Sequence, residues 1–342
     1  METVKNMIIA EIGQAHDGSL GIAHSYIDAI AKSGADAVKF QTHIANSESS
    51  DLEKWRVKFS KQDKTRFDYW KRMEFSYSQW KELKAHANDV GLKFLSSVFS
   101  IEAFHMMNEI GVFAWKIASG EINNFQLLKK MKKTKIPIYV STGMSSWNEI
   151  DNVVEDLKKD NVDFTVFQCT SMYPTPEEYW GLNVIQEIKN RYSCNVGYSD
   201  HSGHIYAGLS AFTLGASILE VHVTFSKDLF GPDTSSSIDF NQLNKLVKGS
   251  KSIIKSLNND VNKDDVSLKL EKTKLIFGKS VFASKDLKKG ETINEKNIIF
   301  KKPGVGINID DWESVKGSKL KRSIKSGTMI KFDDIIVESI VD

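Results

Sequence analysis

The chain is poor in cysteine, in net charge and in long apolar runs. Only two cysteines occur in 342 residues, Cys169 and Cys194, and neither sits in a CxxC pair. That argues against a disulfide framework and points to the cytoplasm, with both thiols structural. Basic residues exceed acidic ones by a formal +2 only, so no bulk charge calls for nucleic acid or a membrane surface as partner. No apolar run approaches the roughly 20 residues of a membrane span, and the opening METVKN lacks the apolar core of a signal peptide. Nor is there a repeat of about 20–50 residues that would mark a solenoid. What is there is 41% hydrophobic and 26% charged, a soluble globular composition. The length suits one barrel of about 250 residues plus a small module.

Eight short apolar runs punctuate the first 225 residues: MIIAEIG, ADAVKFQTH, LKFLSS, FAWKIASGE, PIYVSTGM, FTVFQCTSMY, NVGYSDH and SILEVHVT. Stretches of helical character, such as Gly21 to Ser33 and Ser78 to Asn88, lie between them. Strand alternating with helix eight times predicts a closed parallel (β/α)8 TIM barrel. Nearly every run ends in a residue of chemical use, among them Glu11, Lys39, Ser97, Lys116, Ser141, Ser199, His201, Glu220 and His222. Barrels of this kind work at the C-terminal ends of their strands, so the chain reads as an enzyme.

Strand parity sharpens that reading. Lys39 and Gln41 share one face of their run, and Glu220, His222 and Thr224 share one face of theirs, with apolar residues opposite. The apolar face should pack on helices, which sends the polar face into the lumen. Buried lysines and carboxylates are costly unless paired, metal-bound or touching an anion. An internal salt-bridge network, Lys39 with Glu11 or Glu220, is the competing structural explanation.

The organisation changes near residue 255. We expect a barrel over residues 1–255 and a polar linker with a short helix over 256–277. A small, mainly β module with little core of its own then fills 278–342.

The segments IAEIGQAHDGS, VKFQTH, FLSSVFS, WKIASGEINN, STGM, CTSMYPTP, GYSDH, LEVHVT and GPD, in this order, resemble the sialic acid synthase family. The run from FASKDLKKGETI through KKPGVGI to IKSGTMI resembles the antifreeze-like (SAF) module appended to those barrels. The resemblance implies a transferase that condenses phosphoenolpyruvate with an N-acylated amino sugar to a nonulosonic acid. It further implies a divalent metal, usually manganese, on His201 and His222, and a homodimer in which each module caps the other chain's barrel. Phosphoenolpyruvate would then lie on Lys39, Ser97, Lys116, Ser119, Ser141, Ser171 and Ser199. The sugar would meet Gln41, Tyr173, Asp233 and, from the module, Lys302. Lysines suit a phosphate as point charges, and two imidazoles leave a metal open to water and substrate oxygens.

For the chemistry we expect C3 of phosphoenolpyruvate to attack the polarised sugar aldehyde, water to capture C2, and phosphate to leave by C–O cleavage. Glu121 is the first candidate to activate that water, with Glu11 and Glu220 as the other lumen carboxylates. His43 reads as supporting the site from behind, and His204 has no assigned role. Two departures bear on the acceptor. The stretch with Trp55, Arg56, Lys58, Arg66, Tyr69, Trp70, Lys71 and Arg72 does not resemble its counterpart in N-acetylneuraminate-forming enzymes. It is either a solvated amphipathic segment or a specificity element. Lysine also stands in Lys301-Lys302-Pro303-Gly304 where characterised relatives present arginine to the sugar's acyl group. Acceptors acetamido-substituted at C2 alone, or at C2 and C4, both remain open. So do a synthase for aldose phosphates of the octulosonate-phosphate type and a non-catalytic sugar-binding barrel.

Overall fold

A computed structural model describes residues 6–336. Eight parallel strands close into a barrel in chain order, β1 pairing with both β2 and β8. They are β1 Met7–Gly13, β2 Ala37–Thr42, β3 Lys93–Val98, β4 Trp115–Ile117, β5 Ile138–Ser141, β6 Phe164–Cys169, β7 Asn195–Asp200 and β8 Ile218–His222. Seven fall inside their apolar runs and β3 passes the end of its run by one residue, Val98, so the (β/α)8 expectation holds. The helices Leu20–Ser33 and Tyr77–Asp89 extend the expected stretches by a residue or two. Ser19 caps the first, and Ser76 with Gln79 closes a capping box on the second.

The parity argument is visible strand by strand. Ile8 and Ala10, Val38 and Phe40, Trp115 and Ile117, and Leu219 and Val221 face outward into the main core against the helices. Ile9, Ala37, Leu95, Ala114, Tyr139 and Ile218 instead join Phe167 in a separate apolar plug inside the barrel. Two residues further along the same faces stand Glu11, Lys39, Ser97, Lys116, Ser141 and Glu220. Period-two geometry therefore lays a polar layer directly on an apolar one, at the C-terminal end where barrel sites form. On β7 the lumen position below Ser199 is Gly197, where a Cβ would come within 2.6 Å of the Phe167 ring. Glycine there makes room for the Phe167 ring.

Run four is shorter as a strand than it reads. After Ile117 the chain turns into a single 3-10 turn, Ser119–Glu121, which carries Glu121 away from the strand direction.

The described residues divide into two compact units after Asn258. The last barrel helix runs Phe240–Leu257. In the second unit, helices Lys263–Lys269 and Glu271–Phe277 precede two small antiparallel sheets. These pair β9 Ser280–Ala283 with β10 Ile298–Lys301, and β11 Lys319–Leu320 with β12 Ile335–Ile336. The module has more core than its composition suggested: Val281, Ile293, Ile307, Trp312, Val315 and Ile330 pack together, all nearly inaccessible. Lys302 extends over the Phe277 ring, Nζ 4.9 Å from its centroid.

Candidate active site

At the mouth of the barrel a cavity of about 280 Å3 gathers most of the expected residues. Lys39, Gln41, Ser97, Lys116, Ser119, Ser141, Ser171, Tyr173, Ser199, His201, Glu220, His222 and Asp233 all line it. Three expected residues do not. Glu11 lies beneath, fully buried, and Glu121 lines an adjoining cavity. Lys302 belongs to the second unit.

The floor is a four-residue ionic network. Lys39 Nζ donates to the Glu11 carboxylate and stands 3.7 Å from Glu220 Oε1. Lys116 Nζ donates to Glu220 Oε1 at 2.6 Å, and Ser199 Oγ donates to the same oxygen at 3.1 Å. The salt-bridge reading is thus realised, and the paired lysines also face an open pocket. Burial pushes the Lys39 ammonium down to about 7, against the pull of Glu220 and with help from the charge on Lys116. Burial disfavours the charged form of Glu220 too, but Lys116 and Lys39 override it and keep that carboxylate ionised.

Hydroxyls form the walls. Ser119 Oγ accepts from the Gly143 amide at 3.0 Å and sits 3.3 Å from Cys169 Sγ. Among the described residues, Ser171 Oγ is buried without a hydrogen-bond partner, and so is Glu220 Oε2. Such groups are costly unless something fills the pocket. Gly143, in STGM, is what lets the wall close: a Cβ there would lie 2.4 Å from Ser171 Oγ and 2.9 Å from Ser119 Oγ. Both cysteines are free thiols.

His201 and His222 stand side by side, ring centroids 5.4 Å apart. His201 Nδ1 lies 2.9 Å from the Thr170 carbonyl, which can only accept, so Nδ1 carries the proton and Nε2 keeps its lone pair. Burial lowers His201 to about 4 and His222 to about 3, so both imidazoles are neutral at pH 7. A neutral ring whose other nitrogen is fixed by a carbonyl is a metal ligand's arrangement. Among the described residues no group of three or more histidines, cysteines or carboxylates could hold a metal. A cation on this pair would therefore keep most positions open to water and substrate, and the two residues fit that task.

The segment between β2 and β3 supplies residues that the sequence left undecided. Arg56 Nη2 donates to Asp233 Oδ1 at 2.7 Å and to the Pro232 carbonyl at 2.8 Å. Its guanidinium lies 4.1 Å over the Tyr173 ring, which in turn sits 4.3 Å from His201. Arg66 and Trp70 also line the cavity. Arg72 instead binds Asp63 and Asp17, and Lys58 and Lys71 are solvated. The segment is thus part solvated face and part site wall. His43 stacks between Trp70 and Phe99, at 4.0 and 4.6 Å, and bonds Glu48. Its Nε2 meets Gln14 Nε2, which also donates to Gln41 at 2.6 Å. Gln14, Phe99 and Gly143 were not singled out in the sequence. Their only signal was position, just past the ends of β1, β3 and β5.

Known proteins agree with this picture. A model of the NeuB family matches residues 26–262, and a model of the SAF domain matches 278–336. An N,N'-diacetyllegionaminic acid synthase of Campylobacter jejuni is 35% identical over 96% of this chain and 99% of its own length. A pseudaminic acid synthase of the same species is 32% identical over 96% of both chains. The crystal structure of an N-acetylneuraminic acid synthetase from Leptospira borgpetersenii superposes with a TM-score of 0.69 at 30% identity. That match covers 79% of this chain and 92% of the other. With a barrel site of this composition and a family match over most of its length, the chain belongs to the NeuB family and carries a SAF domain after it in the sequence.

Proposed function

We propose that the chain is a nonulosonic acid synthase. It joins C3 of phosphoenolpyruvate to the carbonyl carbon of an open-chain N-acylated amino hexose, and water adds at C2. The products are a nine-carbon 2-keto acid and inorganic phosphate. The observation that carries this reading is the pair of buried lysines, Lys39 and Lys116, at the floor of a hydroxyl-walled pocket beside two neutral histidines.

Lys39 and Lys116 balance the phosphate and carboxylate charges, and Ser97, Ser119, Ser141, Ser171 and Ser199 orient their oxygens. Gln41, Tyr173 and Asp233 face the acceptor, and Arg56 holds the last two of these together. The divalent metal, manganese in our reading, would be held by His201 and His222 and would polarise the acceptor's carbonyl oxygen. Glu121 lines the adjoining cavity instead, so in our reading it faces the acceptor and is not given the water. Glu220 Oε2 is the lining carboxylate oxygen without a partner, so we assign it the proton of the water that adds at C2. Collapse of the resulting tetrahedral carbon breaks its bond to the phosphate oxygen, and the lysines stabilise the departing charge. Glu11 acts from beneath by holding Lys39 and Gln41.

We further infer a cytoplasmic homodimer in which each SAF module caps the other barrel and brings Lys302 to the sugar. The resemblance supports this arrangement. The working division is barrel to 255, connector 256–277 and module from 278. An aldose-phosphate synthase has no use for that module. A non-catalytic barrel has no reason to keep five costly lumen groups, Lys39, Lys116, Glu220 and the histidine pair.

The test is phosphate release from phosphoenolpyruvate with manganese, across free and phosphorylated amino sugars, with product mass recorded. Release with an N-acyl sugar and a nine-carbon keto acid is the expected result. Release only with a plain aldose phosphate would favour the sister class.

A further inference from the structure

Four titratable side chains form a row across two of the outer helices. Leu20–Ser33 contributes His24 and Asp28, and Tyr77–Asp89 contributes Glu82 and His86. Within each helix the two are four residues apart and so share a face. The apolar faces of the same helices, with Tyr26, Ile27, Ile30, Trp80 and Leu83, are buried in the main core. None of the four polar residues lines the barrel-mouth cavity, and the condensation proposed above makes no use of them.

Their order in space is Glu82, His24, His86, Asp28. Glu82 Oε1 lies 3.0 Å from His24 Nε2, and Asp28 Oδ1 lies 3.1 Å from His86 Nε2. Between the rings, His24 Nδ1 and His86 Nδ1 are 2.7 Å apart. A carboxylate oxygen only accepts, so both Nε2 atoms carry a proton. Each neutral ring then has one lone pair left, on Nδ1, and the two lone pairs face each other. That contact is repulsive unless a positive centre lies between the nitrogens. A shared third proton and a metal ion are the two ways to supply one.

Charge and donor chemistry favour the metal. Two carboxylates and two neutral imidazoles sum to −2, which one proton leaves at −1 and a divalent cation brings to zero. An imidazole whose N–H is held by a carboxylate is the usual setting of a metal-binding histidine, since the carboxylate fixes the tautomer and makes the ring a better donor. That setting occurs twice here, from two helices, with both free nitrogens aimed at one point. At zinc–nitrogen distances of about 2.0–2.1 Å a tetrahedral pair needs about 3.3 Å between nitrogens, so the rings must part by about 0.6 Å. Each side chain is 25% exposed, which leaves solvent at hand for the movement and for the remaining ligands. Among the described residues no group of three or more such donors could hold a metal, so water completes the set.

We propose that His24 and His86 bind a divalent ion of the zinc type through Nδ1, while Glu82 and Asp28 hold their Nε2–H groups. Imidazole donors suit zinc, copper and nickel, whereas manganese favours oxygen. The ion ties the helix that follows β1 to the helix that precedes β3, a structural role outside the condensation.

The experiment uses the full chain, stripped of metal, with His201→Asn and His222→Asn in place so that the barrel mouth does not compete. Zinc is titrated by calorimetry, and melting is followed with and without it. About one zinc per chain is expected, with a melting temperature that rises on adding it. Glu82→Gln in this background should weaken zinc about 10–100-fold by releasing His24. His24→Ala combined with His86→Ala should abolish both the binding and the rise, and its cooperative melt without zinc checks that it folds. If it does not fold, Glu82→Gln decides alone. Zinc held equally well by these variants would be adventitious and would overturn the proposal. So would the absence of zinc binding when all four residues are intact, and 15N spectra showing three N–H protons on the two rings would then assign the gap to a shared proton.

Discussion

Lys116 and Glu220 stand 104 residues apart in the chain and meet inside the barrel, Nζ to Oε1 at 2.6 Å, with almost no water in reach of either. The contact joins β4 to β8 across the lumen, and it is the firmest link between the pocket's two jobs. It makes a buried charge tolerable, and it holds an ammonium where an anion can reach it.

Removing one partner should be worse than removing both. Lys116→Met leaves Glu220 with the Ser199 hydroxyl and with Lys39 at 3.7 Å, and we expect a loss of about 3–5 kcal/mol in urea unfolding. Adding Glu220→Gln to that variant should restore part of the loss, since no unpaired charge then remains. A double variant that is additive would show the pair to be uncoupled.

Lys39 gives the pocket a pH dependence. Its ammonium is depressed to about 7 in the free site, and a bound phosphate or carboxylate would raise it. The protonated lysine binds the anion better, so affinity is flat in this group below pH 7. It weakens above that, by up to about tenfold per pH unit, until the bound-state value is reached. Calorimetry at pH 8 in two buffers of different ionisation enthalpy should show uptake of about one proton per phosphoenolpyruvate. Lys39→Arg, charged throughout, should abolish the uptake.

Ser171 separates binding from folding. Its hydroxyl has no partner among the described residues, so Ser171→Ala forfeits none of their hydrogen bonds and should leave the melting temperature essentially unchanged. The KM for phosphoenolpyruvate should nevertheless rise about tenfold, the worth of roughly 1.4 kcal/mol. Unchanged KM would mean that the hydroxyl does not touch the ligand.

His201→Asn and His222→Asn should each release manganese on gel filtration and end phosphate release. A chelator should do the same to wild type, reversibly on adding manganese back. Retention of metal by both variants would move the metal elsewhere.

Much of this was readable from spacing alone. All eight strands and the lumen identity of Lys39, Gln41, Glu220 and His222 follow from apolar runs and period-two alternation, because a one-residue slip would bury every charge among helices. The course of the chain at Glu121 was less legible, for a related reason. SGE reads as the tail of a strand, but the strand ends at Ile117 and a 3-10 turn redirects it. The segment carrying Arg56 has no period to read. Its contact with Asp233, 177 residues away, is settled by how two loops close over one mouth. Gly143 and Gly197 mattered through the space they leave, which no pattern of polar and apolar residues records.

The central claim is a condensation with C–O cleavage in this pocket, and isotope placement tests it most directly. Phosphoenolpyruvate labelled with 18O in the bridging C2–O bond is turned over with the accepted sugar, and both products are weighed. Label wholly in the released phosphate, beside an unlabelled nine-carbon keto acid, is the predicted result. Label kept by the keto acid, or phosphate released without carbon–carbon bond formation, would contradict the account.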